Sequence, residues 1–241
     1  IIEAINKVLN DKDFIEKVKK RNNPWGDGKT SDRIINILKS NRINDKFRFI
    51  ANRFSVNVSV SNFLKLMDLR PKGIKNIVTI HNPIDVDRFR LMDINSFTEL
   101  NIVRKIQEVP KEHVVLFIGR LVPEKGLHHL IKAMGMLRSD LRKRTLLVIV
   151  GPKGHFHMDL YSSYLDYCIS LARRYDVMTL YLGVVKRDEL PLVYNLADIV
   201  AVPSLWDEPA PRVAQEAQAC GRPIIAYDSG GIKEVAGPHS S

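Results

Sequence analysis

Val114-Val115-Leu116-Phe117-Ile118-Gly119-Arg120-Leu121-Val122-Pro123-Glu124-Lys125-Gly126 decides the fold. An unbroken apolar run over 114–118 reads as a strand buried on both faces. It stops at a glycine and a charged turn, and apolar residues at helical spacing follow over 127–137. Downstream the same unit recurs. Strands are expected at 146–150 and 178–182, ending at Gly151 and Gly183, and then at 199–202 and 223–226. Helices are expected at 161–175, 189–196 and 213–219. Apolar strands alternating with helices give an α/β chain whose parallel sheet has helices on both faces. Right-handed crossovers join such strands. Ligands then bind beyond the carboxyl ends of the strands.

Upstream the pattern changes. Phe54-Ser55-Val56-Asn57-Val58-Ser59-Val60-Ser61 alternates polar and apolar residues, the mark of a strand. A short helix over 62–69 and a second strand over 77–80 follow, and then a turn at His81-Asn82-Pro83-Ile84-Asp85. Residues 1–45 read as two helices around Asn22-Asn23-Pro24-Trp25-Gly26-Asp27-Gly28, a turn cluster. Three pieces result: a helical segment over 1–45, a smaller α/β piece over 50–98, and the regular domain over 110–241.

The chain has 241 residues, 45% of them hydrophobic, which is enough for a core and too much for a disordered chain. No apolar run approaches the roughly 18 residues that span a bilayer. Ile1-Ile2-Glu3 carries neither an initiator Met nor a signal-peptide pattern, so Ile1 is expected to lie inside a longer reading frame. Cys168 and Cys220 stand in apolar, helix-like contexts and are expected as buried free thiols in a reducing, cytoplasmic setting. The formal net charge is +10. Such a charge favours polyanions, or is simply a solvated basic surface. The basic residues are scattered, without aromatic interleaving or zinc-finger spacing, so nucleic acid is not the expected partner. An anionic membrane surface fits better.

Three post-strand loops carry candidate chemistry. In Gly119-Arg120-Leu121-Val122-Pro123-Glu124-Lys125-Gly126, Gly119 is read as the residue that lets the chain turn. Arg120 offers a planar fork for phosphate oxygens, and Lys125 opens a helix whose dipole also favours anions. Together the two cations can neutralise a diphosphate without a metal; alone, a solvated surface turn explains them equally well. Glu208-Pro209-Ala210-Pro211-Arg212-Val213-Ala214-Gln215-Glu216 sets two carboxylates eight positions apart. Pro211 is read as a first helical residue, which aims the helix N-terminus at the crevice. Glu216 can accept two hydrogen bonds from a ribose diol, and Glu208 can accept from sugar hydroxyls. Ser229-Gly230-Gly231-Ile232-Lys233-Glu234 adds paired glycines that admit a close backbone approach to an anion.

Residues 114–236 together resemble the donor-binding domain of the group 1 (family 4) glycosyltransferases of GT-B fold. The matching text is Gly119-Arg120-Leu121 with Glu124-Lys125-Gly126, Leu182-Gly183-Val184-Val185, Ala197-Asp198-Ile199, Pro203-Ser204, the Glu208/Glu216 pair, Ala219-Cys220-Gly221-Arg222-Pro223, and Gly230-Gly231 with Glu234. Residues 54–89 are similar to the end of that family's N-terminal, acceptor domain, with Asn82-Pro83-Ile84-Asp85 and Phe89 as the interdomain linker. A Rossmann-like GT-B donor domain plus a remnant of the acceptor domain is therefore implied, and it is C-terminally incomplete. The resemblance implies retaining transfer from a UDP- or GDP-type nucleotide sugar to a glycan or lipid-linked acceptor, without a metal cofactor, at the inner face of the membrane. It implies Arg120, Lys125 and Glu208 as catalytic residues. Gly119, Val185, Arg212, Val213, Glu216, Gly230 and Gly231 would bind the donor, with Val185 against the base.

Two departures stand out. Ala210-Pro211 replaces the family's aromatic or small residue and Gly, and Pro211 lacks an amide proton. Asp85-Val86-Asp87 mimics an Asp-x-Asp metal motif but is read as linker. His128-His129 and His155-Phe156-His157 are read as ordinary surface or loop histidines. Asn23-Pro24-Trp25-Gly26-Asp27-Gly28-Lys29-Thr30-Ser31-Asp32-Arg33-Ile34 resembles the C-terminal tail of the non-hydrolysing UDP-N-acetylglucosamine 2-epimerases. An epimerase portion of a fusion, and a non-catalytic nucleotide-binding module, are the alternatives.

Overall fold

The computed structural model describes residues 57–69, 77–153 and 163–236. The epimerase-like segment, both helices expected over 1–45, the strand start at 54–56, and His155 and His157 lie outside the described residues.

Two short strands come first, β1 (Asn57–Ser59) and β2 (Ile77–Thr79), paired in parallel with Val58 opposite Val78. Between them the turn α1 (Asn62–Leu64) runs on as a π turn over Lys65–Leu69. Ser61 caps it, its Oγ accepting from the Leu64 amide at 3.1 Å. Next comes the linker. Asp85 organises its turn: its carbonyl accepts from the Phe89 amide at 2.8 Å, and its carboxylate accepts from the Arg88 amide at 3.1 Å. Phe89 is thereby delivered into the core.

Five parallel strands form the main sheet: β3 (His113–Ile118), β4 (Thr145–Val150), β5 (Met178–Gly183), β6 (Ile199–Val202) and β7 (Ile224–Ala226). Their order across the sheet is β5-β4-β3-β6-β7. The unbroken apolar runs have the meaning read from them in the central strands β3, β4 and β6, which bury both faces, while the edge strands β5 and β7 are only partly buried. Val115, Phe117, Leu147, Ile149, Ile199 and Ala201 pack on one face, against α3 (Leu127–Gly135) and α5 (Tyr164–Arg174). Val114, Leu116, Leu146, Val148 and Val200 pack on the other. That second face is covered by α2 (Asn101–Gln107), α6 (Leu190–Leu196) and α7 (Arg212–Ala219), with Ile84 and Phe89 of the linker wedged among them. Asp198 ties the start of β6 to β3: its carboxylate accepts from the Val114 amide at 2.8 Å, and its own amide donates to the Val114 carbonyl at 2.9 Å.

Some boundaries move. The helix expected over 127–137 ends at Gly135, where the Tyr175 ring closes on the backbone. α4 (Ser139–Lys143) and α2 were not read from sequence. α4 offers only Leu141 to the core, too little for periodicity to register. The last helix, α8 (Ile232–Ala236), packs by Ile232 and Val235 against Val202 and Ala214. It also reaches the first unit. Both oxygens of Glu234 accept backbone hydrogen bonds, from Asn62 at 2.7 Å and Phe63 at 2.6 Å. Gln215 on α7 donates to the Asn82 carbonyl at 3.2 Å.

Candidate donor-binding site

Strand order builds the site. The chain leaves β3 toward β4 and β5 on one side, then returns to place β6 on the other side of β3. Loops leaving the carboxyl ends of β3 and β6 therefore diverge and leave a crevice at this switch point. The loop after β7 adjoins the loop after β6. All three loops singled out in the sequence thus meet on one sheet edge.

The contacts between them are direct. Lys125, at the end of the β3 loop, forms an ion pair with Glu208 in the β6 loop. Ser204 Oγ donates to the same carboxylate oxygen at 2.7 Å, and the Leu205 amide donates to the Glu124 carbonyl at 2.8 Å. Glu208 is only 7% exposed, so this pairing is what makes its burial tolerable. The Lys125 ammonium also lies 5.3 Å from the centroid of the Trp206 ring. Arg120 stands exposed, without an ion-pair partner among the described residues.

Glycine has a different job from the one expected. A Cβ on Gly119 would meet nothing closer than 3.7 Å, so the chain there does not need glycine to turn. The demanding position is Gly126, at φ +71°, where a Cβ would lie 1.9 Å from the Pro203 carbonyl oxygen. Gly126 locks the two loops together and caps α3. Gly230 and Gly231 likewise lie against protein backbone: the Gly231 amide donates to the Glu208 carbonyl at 2.7 Å, and a Cβ there would sit 2.0 Å from the Pro209 oxygen.

Pro211 was expected as the first helical residue but is the N-cap of α7, and Arg212 opens the helix. Glu216 lies beyond its first turn, 9% exposed. Its Oε2 accepts from the Tyr194 hydroxyl at 2.8 Å, and its Oε1 faces the Arg212 guanidinium at 3.8 Å. Burial raises the Glu216 carboxyl above the usual carboxylate range, while Tyr194, Arg212 and Arg187 act in the opposite sense. Val185 and Val213 are half-buried along the second face of the sheet, and Val184 beside them is open to solvent.

The family model for glycosyl transferases group 1 matches residues 99–241, more than half of the chain. This chain belongs to the group 1 glycosyltransferases. An uncharacterized glycosyltransferase of Methanocaldococcus jannaschii, MJ1607, is 35% identical over 161 residues, covering 66% of this chain and 38% of the relative. A D-inositol 3-phosphate glycosyltransferase of Saccharomonospora viridis is 33% identical over 188 residues, covering 76% and 41%. Among solved structures, Anabaena Alr3699/HepE in complex with UDP-glucose superposes at a TM-score of 0.62 with 26% identity, over 76% of this chain and 48% of that one. The chain thus spans less than half the length of the relatives it matches. The Rossmann-like, GT-B-type parallel sheet read from sequence is the fold of this group 1 transferase.

Other residues of the transferase have structural duties. Arg222 donates to the carbonyls of Ala197 and Cys220, both at 3.1 Å, so its guanidinium is not free for phosphate. Cys168 and Cys220 are buried free thiols, as expected. His128 is not an ordinary surface histidine: its Nδ1 lies 2.6 Å from the Tyr164 hydroxyl, and its ring meets that of His129 edge-to-face at 4.5 Å. Burial, with the neighbouring His129 and Lys132 charges, pushes its pKa down to about 4. Among the described residues, no three His, Cys, Asp or Glu side chains cluster as metal ligands would, and no helix is long and apolar enough to cross a membrane. From sequence, Ser204 stood out only within the Pro203-Ser204 match and had no role assigned, and Trp206 and Tyr194 were not singled out. Tyr194 had one available signal: a tyrosine inside a buried helix must find a partner for its hydroxyl.

Proposed function

We propose that this chain carries the nucleotide-sugar-binding half of a retaining glycosyltransferase. The observation that supports this reading is the Lys125–Glu208 pair across the switch-point crevice, with Glu216 on the helix that follows. A diphosphate at the mouth of the β3 loop would draw on Arg120 and Lys125, whose charge opposes the negative charge that develops as the sugar departs. Those two cations supply that charge on the protein side, so no metal is required. Glu208 would accept from donor-sugar hydroxyls, and the Glu216 carboxylate from the ribose diol. Val185 would lie against the base. The first-turn amides of Arg212 and Val213 would face the phosphates, with Pro211 contributing none, while Gly119, Gly230 and Gly231, whose backbones are held by Val150, Glu208 and Pro209, would shape the loops around the donor. UDP or GDP is the expected nucleotide.

The acceptor is proposed to be a glycan or a lipid-linked sugar, with the basic surface resting on an anionic membrane at its cytoplasmic face. Sedimentation with phosphatidylglycerol vesicles but not with phosphatidylcholine vesicles is expected; equal partition into both would contradict membrane docking. The cation assignment has its own test. The unsubstituted chain is expected to bind UDP at least ten times more tightly than UMP, on the order of 1.4 kcal/mol. In the Arg120→Ala/Lys125→Ala double variant that preference should vanish. A preference kept intact in the double variant would remove both residues from the diphosphate site.

A further inference from the structure

Tyr194 has no exposure to solvent. Its hydroxyl donates to Glu216 Oε2 at 2.8 Å, across the contact of α6 with α7. The ring is not free to move. Its edge packs on Phe89 of the linker, with ring centroids 6.0 Å apart at 72°. The next residue, Asn195, fixes the same linker: its side chain accepts from the Met92 amide at 3.0 Å and donates to the Arg90 carbonyl at 2.9 Å.

A buried carboxylate held at one oxygen has one arrangement left for the other. Oε2 is engaged by Tyr194, and Oε1 turns toward Arg212 at 3.8 Å, beyond direct hydrogen-bond range. Oε1 therefore keeps its acceptor capacity for a ligand. We infer that Tyr194 is a positioning residue for the donor nucleotide, holding Glu216 through Oε2 so that Oε1 is presented to a vicinal diol such as ribose. Phe89 transmits the linker's position to that carboxylate. This inference rests on the donor-site reading above.

Chemistry gives Tyr194 a signature that mere packing lacks. A diol donates to the carboxylate and not to the protonated acid. The groups facing Glu216 are Tyr194 from α6, Arg212 and Cys220 from α7 and its end, and Arg187 from the loop before α6. Tyr194 and the two arginines favour the ionised form, and burial opposes it. Without the hydroxyl the carboxyl ionises at higher pH, so the acid limb of nucleotide binding moves up in pH.

The test is calorimetric titration of the chain with UDP from pH 5 to 8, in the unsubstituted protein and in Tyr194→Phe, with circular dichroism as the folding check. Loss of a hydrogen bond to a charged group predicts about tenfold weaker binding at pH 7. It also predicts a pH midpoint displaced upward. In a Glu216→Ala background, where the hydroxyl has no acceptor left to hold, Tyr194→Phe should cost nothing further. Phe89→Leu, which loosens the wedge and keeps the hydroxyl, should weaken UDP binding in the same direction by a smaller factor, and it serves if Tyr194→Phe does not fold. Unchanged affinity and midpoint in the folded variants would overturn the inference alone. No UDP binding by the unsubstituted chain would overturn the donor-site reading, and this inference with it.

Discussion

Glu216 holds a conflict between stability and binding. Burial raises its folded pKa above the ordinary glutamate value, so the folded state favours the protonated acid. Stability contributed by that proton is present at low pH and is lost as pH rises through the raised folded value. At neutral pH the ionised form is needed for a diol yet costs folding free energy. Glu216→Gln is therefore expected to raise the melting temperature at pH 7, with the gain shrinking toward pH 4, while UDP affinity falls. Scanning calorimetry across that range checks it; a lower melting temperature at pH 7 would contradict the account of the site. The residue types of the candidate site were legible because charged side chains stand out in the loops between apolar strands. Tyr194 was not legible as a partner of Glu216, because their contact crosses 22 positions and depends on how α6 meets α7. Gly119 was legible as a strand end but misread in role, since the φ that requires glycine falls at Gly126.

Between elements, the telling contact joins α8 to α1. Asn62 and Phe63 offer amides with no helical acceptor, and Glu234 supplies one oxygen to each. Removing that carboxylate leaves two donors without partners. Glu234→Ala is expected to destabilise the fold by about 1–3 kcal/mol, measured by urea unfolding. Hydrogen exchange at Asn62 and Phe63 should rise more than at Val148 in β4. Equal protection of all three amides before and after substitution would mean that Glu234 holds nothing. At this scale the central strands were read well, because a continuous apolar run leaves a buried parallel strand as the simplest solution. α2 and α4 were missed because each buries at most two side chains. No pattern in residues 62–69 announces that a carboxylate from α8 will complete them.

Among the described residues, one sheet edge collects the three post-strand loops that the sequence singled out. The strand order β5-β4-β3-β6-β7 brings the loops after β3 and β6 together, and the two faces of the sheet are filled by alternate residues of the same strands. Topology of this kind follows from the βαβ pattern and its handedness, which is why the crevice could be expected before any coordinates. The nucleotide base, the donor sugar and the acceptor are written in side-chain geometry, and no spacing rule encodes them. The most direct measurement is calorimetric titration of this chain with UDP, GDP and ADP, with and without magnesium, alongside Glu216→Ala. One nucleoside diphosphate is expected to bind in preference to the others, with affinity independent of magnesium and at least tenfold weaker in the variant. Binding of none, or binding that requires magnesium and survives Glu216→Ala, would contradict a metal-independent donor site at this crevice.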